Sequence, residues 1–64
     1  MKEYYDNILI VWIHPVQCTG VVEHLGAWAS KIKYTVDEVE HEDVFDNEDF
    51  FVLEEITLHH IEEN

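Results

Sequence analysis

The strongest structural signal in the chain is the apolar stretch at residues 7–14, which reads NILIVWIH. β-Branched and aromatic side chains follow one another there without polar interruption, and Pro15 ends the run. This pattern predicts a central strand that is covered on both faces or nearly so. The uninterrupted apolar part, residues 8–13, is too short for a signal-peptide core or a membrane span.

A second pattern predicts a helix after residues 19–20, which are a plausible helix start. Lys31 and Lys33 lie near the end of this segment, where they suit the negative pole of a helix dipole. The tryptophan of each element, Trp12 on the strand and Trp28 on the helix, is expected in the core. Four apolar residues recur at the helical spacings of four, three and four: Val21, Leu25, Trp28 and Ile32.

The second half of the chain is more ambiguous. Residues 33–40 favour a strand, although a capping box at residues 35–38 would also fit a helix. A turn is expected at residues 46–47, followed by a strand over 50–58 that a bulge interrupts at 54–55; a short helix after Asn47 is the alternative. The predicted fold is therefore α+β, a small β-α-β-β domain with one helix packed on a three-stranded, mainly antiparallel sheet.

Net charge divides the chain into two halves. Residues 1–36 contain three acids and three lysines, whereas residues 37–64 contain twelve acids and no lysine or arginine, which gives −12 overall. Sixty-four residues have room for one small core, so we expect a single domain, 1–64, with a neutral N-terminal half and an acidic C-terminal half, 37–64. Dense charge of one sign points to solubility or to a cationic partner.

Composition also excludes several classes of function. The chain has no arginine and three lysines, so direct binding to nucleic acid is not expected. Cys18 is the single cysteine, which excludes an internal disulfide and favours a reducing compartment, the cytoplasm. Neither a nucleophile–base motif nor ligand spacing for a metal is present, and the adjacent His59 and His60 would point to opposite faces of a strand. We therefore expect no catalytic residue, metal, cofactor or membrane segment.

The acidic half predicts a surface for a protein partner. Alternate side chains of a strand share a face about 6.6 Å apart, so Glu38, Glu40 and Glu42 would form a regular anionic ladder. The alternative is that these acids only keep a small protein soluble. The expected partner-binding residues are ten acids and one apolar anchor: Asp37, Glu38, Glu40, Glu42, Asp43, Asp46, Glu48, Asp49, Glu54, Glu55 and Phe50.

In size, charge pattern, lack of arginine and the acidic run at residues 37–55, the chain resembles the small acidic DNA-mimic inhibitors of bacteriophages. These include anti-restriction proteins, uracil-DNA glycosylase inhibitors and anti-CRISPR proteins. The resemblance implies a monomer or dimer in the host cytoplasm that blocks a basic DNA- or RNA-binding protein, such as a nuclease, CRISPR effector, restriction enzyme or repair enzyme. Two other classes stay open: an antitoxin-like or regulatory partner of a basic protein, and a small structural oligomer subunit.

Overall fold

The computed structural model describes residues 1–63, which form one antiparallel β-sheet. In chain order the elements are β1 (Lys2–Ile13), β2 (Cys18–His24), β3 (Ala29–Val36), β4 (Val39–Asp46), a 3-10 helix (Asn47–Asp49) and β5 (Phe50–Glu62). The strands lie in the order β4-β3-β2-β1-β5, so the first four form a meander and β5 returns to pair with β1. Within these residues no helix is long and apolar enough to cross a membrane.

The core lies on one face of the sheet. Only three residues, 47–49, connect β4 to β5, although these strands lie at opposite edges of the sheet. The sheet therefore curls, and its two edges approach each other around a single small core. The buried apolar side chains come from β1, β3 and the start of β5: Val11, Ile13, Ile32, Tyr34 and Phe50.

β3 shows why this part of the chain forms strands. Ser30, Ile32 and Tyr34 are buried, whereas Lys31 is exposed and Lys33 is half-buried. Alternation with a period of two places one set of side chains in the core and leaves the lysines on the outer face. The same segment cannot bury all three core residues on one side of a helix.

Gly20 permits the close approach of three strands in this core. A Cβ atom at this position would lie 2.8 Å from Cγ2 of Ile32, 2.9 Å from Cδ1 of Ile13 and 2.9 Å from the carbonyl oxygen of Lys33. Because β2 lies between β1 and β3, any side chain here would push its neighbours apart. Glycine is thus required by packing.

The predicted α+β fold is wrong, since its helix is replaced by β2, a turn and β3. The sheet has five antiparallel strands, not three. The helical spacing that starts at Val21 misled because its residues do not share one buried face: Val21, Leu25 and Trp28 are exposed, and only Ile32 is buried. Gly26 would cost a helix about 1 kcal/mol relative to alanine, and the β-branched residues at positions 19, 21 and 22 favour a strand.

The two tryptophans do not both enter the core. Trp28 lies in the turn between β2 and β3 and is 87% exposed, so its predicted burial is wrong. Trp12 is half-buried on the outer face of β1, opposite Phe51 of β5. The expectation that both faces of β1 would be covered therefore holds only for its core face.

The second half of the chain contains more turns than predicted. Residues 33–40 are divided between β3 and β4 by a two-residue turn at Asp37 and Glu38. The predicted turn at residues 46–47 lies where β4 ends and the 3-10 helix begins. β5 is one long strand with a bulge at Leu53, one residue before the interruption expected at 54–55.

A hydrogen-bond cluster fixes the point where the chain crosses from β4 to β5. The buried Ser30 hydroxyl donates to Oδ1 of Asn47 at 2.7 Å and accepts from the N–H of Gly26 at 3.3 Å. The Asn47 side chain donates to the Gly26 carbonyl at 2.9 Å, and its backbone N–H donates to the Trp28 carbonyl at 2.9 Å. The β2–β3 turn and the 3-10 helix are therefore joined through paired polar groups.

The molecule is extended for its size. Its radius of gyration is 13.8 Å, whereas a compact chain of this length has about 11 Å. Its accessible surface is 5003 Å², against about 4,300 Å² for a typical monomer of this mass. The excess arises because the first half of β1 and the second half of β5 form a two-stranded ribbon that projects from the curled sheet.

Candidate protein-binding surface

The tip of the β3–β4 hairpin carries two of the predicted site residues. Asp37 and Glu38 are its central pair, with φ angles of 50° and 68°. Two positive φ angles in succession define the hairpin turn that asparagine and glycine normally supply. Both acids are exposed, and the left-handed conformation is unfavourable for Glu38 because of its Cβ atom, whereas aspartate tolerates it.

The next two acids face lysines of the neighbouring strand. Glu42 Oε1 lies 2.9 Å from Nζ of Lys31, and Glu40 Oε1 lies 2.9 Å from Nζ of Lys33. The hydrogen bond and charge of Glu42 raise the pKa of Lys31, and those of Lys31 in turn lower the pKa of Glu42. The pKa of Lys33 is raised in the same way by Glu40. Glu38 is in the turn, so the expected three-residue ladder is reduced to two acids, both of them paired.

Asp43 points to the other face of β4. It accepts a hydrogen bond of 2.5 Å from the hydroxyl of Tyr34, whose ring lies in the core. That hydrogen bond, together with desolvation, raises the pKa of the Tyr34 phenol. Asp43 therefore supports the core edge as well as contributing charge.

The 3-10 helix places further acids at the crossing from β4 to β5. Asp46 precedes this helix, and Glu48 and Asp49 form its first turn. The backbone carbonyl of Asp49 accepts the N–H of His14 at 2.8 Å, which ties the crossing to the end of β1. The side chain of Glu48 is exposed beside a shallow pocket at the 3-10 helix.

Phe50, the predicted apolar anchor, lies in the core and is 9% exposed. It opens β5 opposite Ile13, so its alternation directs it inward. Its neighbour Phe51 points outward and packs against the ring of His14 at 5.5 Å between centroids. The structure therefore places Phe50 among the structural residues and offers Phe51 as the exposed phenylalanine.

Glu54 and Glu55 lie on β5, at the opposite edge of the sheet from β4. Glu55 lines a groove of about 390 Å³ where β1 and β2 diverge. The ten predicted acids are thus distributed over the hairpin tip, β4, the crossing and β5, and they do not form one continuous row. The groove was missed by sequence reasoning because the ends of β1 and β2 are brought together only by strand pairing. Its lining residues are Asn7, Leu9, Val22, Glu23, Leu25 and Glu55.

The projecting ribbon, which consists of residues 2–9 of β1 and 55–62 of β5, carries one stacked pair of aromatic rings on each face. His60 stacks on Tyr4 at 4.8 Å between ring centroids, and its Nε2 lies 3.0 Å from Asp6. On the opposite face His59 stacks on Tyr5 at 4.7 Å. The adjacent histidines point apart, as strand alternation requires, so they cannot hold one ion together. Within residues 1–63, no group of three or more potential ligands is placed to hold a metal.

Comparison of the chain with protein-family models, with curated proteins and with solved structures found no match. Its function is therefore inferred from the geometry and charge of its own surface.

Proposed function

We propose that the chain is a non-enzymatic inhibitor that occupies the basic nucleic-acid-binding site of a host defence or DNA-repair protein by imitating the charge of DNA. The observation that carries this proposal is the pairing of two of the lysines with glutamates, which leaves few free cations on the surface. Of three lysines in the chain, Lys31 and Lys33 are paired with glutamates of β4. The charge that remains on the exposed surface is almost entirely anionic, and such a field attracts a lysine- or arginine-lined groove.

The hairpin tip supports the same proposal. Asparagine, aspartate and glycine tolerate positive φ angles, yet the second position of this turn holds Glu38. Backbone strain at an exposed position is expected where the side chain serves a function outside the fold. The two carboxylates at the tip would face a partner directly, with no lysine between the tip and the partner.

The exposed area supports an interface of ordinary size. The chain exposes about 700 Å² more than a typical monomer of 7.6 kDa. A standard protein interface buries about 800 Å² on each partner. This excess also fits an oligomer subunit, but assembly of copies that each carry −12 would bring like charges together.

The test is capture on the immobilised chain, followed by elution with duplex DNA at constant ionic strength. We expect a nucleic-acid-processing protein to be released by DNA, and we expect the free chain to inhibit its binding to DNA. A regulatory partner that binds elsewhere would be retained in the presence of DNA. Recovery of only basic proteins that leave at low salt, regardless of DNA, would contradict the proposal.

A pair of variants with equal charge separates a specific site from general acidity. Glu38→Gln with Glu48→Gln removes two exposed acids of the predicted set, whereas Glu62→Gln with Glu63→Gln removes two near the chain end. We expect the first variant to weaken inhibition more than the second and to reduce its salt dependence. Glu40 and Glu42 are unsuitable for this test because changing them also breaks the pairs with the lysines.

A further inference from the structure

The sheet contains a notch where β1 loses one of its neighbours. β1 pairs with β2 only from Ile10 to Ile13, whereas its pairing with β5 continues to Lys2. Over residues 2–9 the β2-facing edge of β1 therefore has no strand beside it among residues 1–63. An open edge presents a row of backbone donors and acceptors that another strand can pair with.

The groove at this notch has the chemistry to select such a strand. Leu9, Val22 and Leu25 supply apolar contacts, and Asn7 supplies a side-chain amide. Its charged lining consists of Glu55 and of Glu23, and the Glu23 carboxylate also lies 3.9 Å from Nζ of Lys33. Side chains of an added strand alternate between two faces, so every second residue could enter this groove.

The ribbon itself lacks the support of a third strand. Two-stranded hairpins are marginally stable in water, and residues 2–7 of β1 are exposed. Addition of a strand to β1 would turn the ribbon into a three-stranded sheet. The bulge at Leu53 interrupts the outer edge of β5 only near its start, so the feature that favours β1 is the partly apolar groove beside it.

We infer that the open edge of β1 at residues 2–9 binds an extended, cationic segment of a partner protein as an added strand. A lysine or arginine of that segment lies in the groove against Glu55. The inference rests on the proposed function in one respect, that the partner is cationic. A second copy of this chain is a poor occupant because it would bring its own −12 charge to an acidic groove.

The test measures amide hydrogen exchange and NMR shifts of the full chain with an acetylated, amidated eight-residue peptide of alternating lysine and valine. We expect saturable binding, with exchange slowed about tenfold or more at amides within residues 2–9. A peptide of the same sequence that is N-methylated at every residue carries the same charge but has no backbone N–H to donate to the ladder. We expect this control peptide not to slow exchange.

Variants test the role of the groove. Glu55→Gln should weaken peptide binding about tenfold. The matched variant Glu63→Gln, which loses the same charge outside the groove, should change it little. Retained peptide affinity in the groove variant would overturn the inference.

Four other results would also overturn it: no binding of the lysine–valine peptide, equal binding of the N-methylated peptide, protection at the outer edge of β5, and self-association through β1 without peptide. Failure here can be told from failure of the proposed function. If a partner that DNA displaces bound the Glu55→Gln variant normally, the proposed function would stand and the role of the groove would be contradicted. Binding of the peptide at β1, without any partner that DNA displaces, would support the inference and contradict the proposed function.

Discussion

Single residues show where this chain departs from the best local choice for its fold. Glu38 has a φ of 68°, a left-handed conformation that costs a non-glycine residue roughly 1–2 kcal/mol. Gly20 shows the opposite situation, since its lack of a side chain is required by atoms less than 3 Å from the position of a Cβ. Glycine is thus present where packing needs it and absent from a turn that would favour it.

Glu38→Gly is expected to stabilise the fold by about 1 kcal/mol because glycine adopts the left-handed turn conformation without strain. Urea unfolding of the two proteins gives the difference directly. Glu48→Gly is the control, since it removes the same charge at an exposed residue outside this turn. A Glu38→Gly protein no more stable than the wild type would mean that the turn is not strained.

At the scale of elements, the pairing of β3 with β4 determines which acids of the second half form ion pairs with lysines. Lys33 lies opposite Glu42 in the register, and each lysine reaches a glutamate two residues along the neighbouring strand from its directly opposed residue. These pairs are half-exposed, so each contributes little to stability by itself. Their larger effect is to neutralise the cations of the neutral half.

The Lys31–Glu42 pair predicts how stability responds to pH. The pKa of Glu42 is below its ordinary value of 4.5, so its stabilising contribution is present above that pH and is lost as the pH falls through the lower folded-state pKa. The pKa of Lys31 is above 10.5, so its contribution is present below that pH and is lost as the pH rises through the raised pKa.

NMR titration of the Glu42 carboxyl checks this assignment. Lys31→Met should move the pKa of Glu42 upward towards 4.5, because Lys31 supplies both the hydrogen bond and the nearest charge. Lys33→Met is the matched control and should produce a smaller rise, since Lys33 acts on Glu42 only through its charge. Equal rises in the two variants would show that the pair is not formed as described.

For the whole molecule, a small core is combined with a large anionic surface. Within residues 1–63, five apolar side chains are buried, and the sheet extends over 43 × 29 × 17 Å. Repulsion among the acids destabilises the folded state. Few compensating ion pairs exist on this surface, and the three that involve lysine are weak when exposed.

Thermal stability should therefore rise when sodium chloride is increased from about 10 to about 500 mM, because screening of repulsion outweighs loss of the exposed ion pairs. Circular dichroism melts at neutral pH measure this. Glu62→Gln with Glu63→Gln, which removes two charges, should show a smaller rise. If salt lowered the thermal stability of the wild-type chain, its ion pairs would stabilise the fold by more than the repulsion among its acids destabilises it.

The sequence by itself determined the features that depend on local chemistry: the apolar strand at residues 7–14, the chain reversal at 46–47, the bulge near 54 and the acidic second half. Tertiary structure decided that residues 18–24 and 29–36 form strands joined by a turn, because the apolar spacing in this segment is helical and only pairing with β1 and β4 overrides it. It also decided the exposure of Trp28, the burial of Phe50 and the pairing of Glu40 and Glu42 with lysines. These depend on register and on which edges meet, and both are set by contacts between residues far apart in the chain.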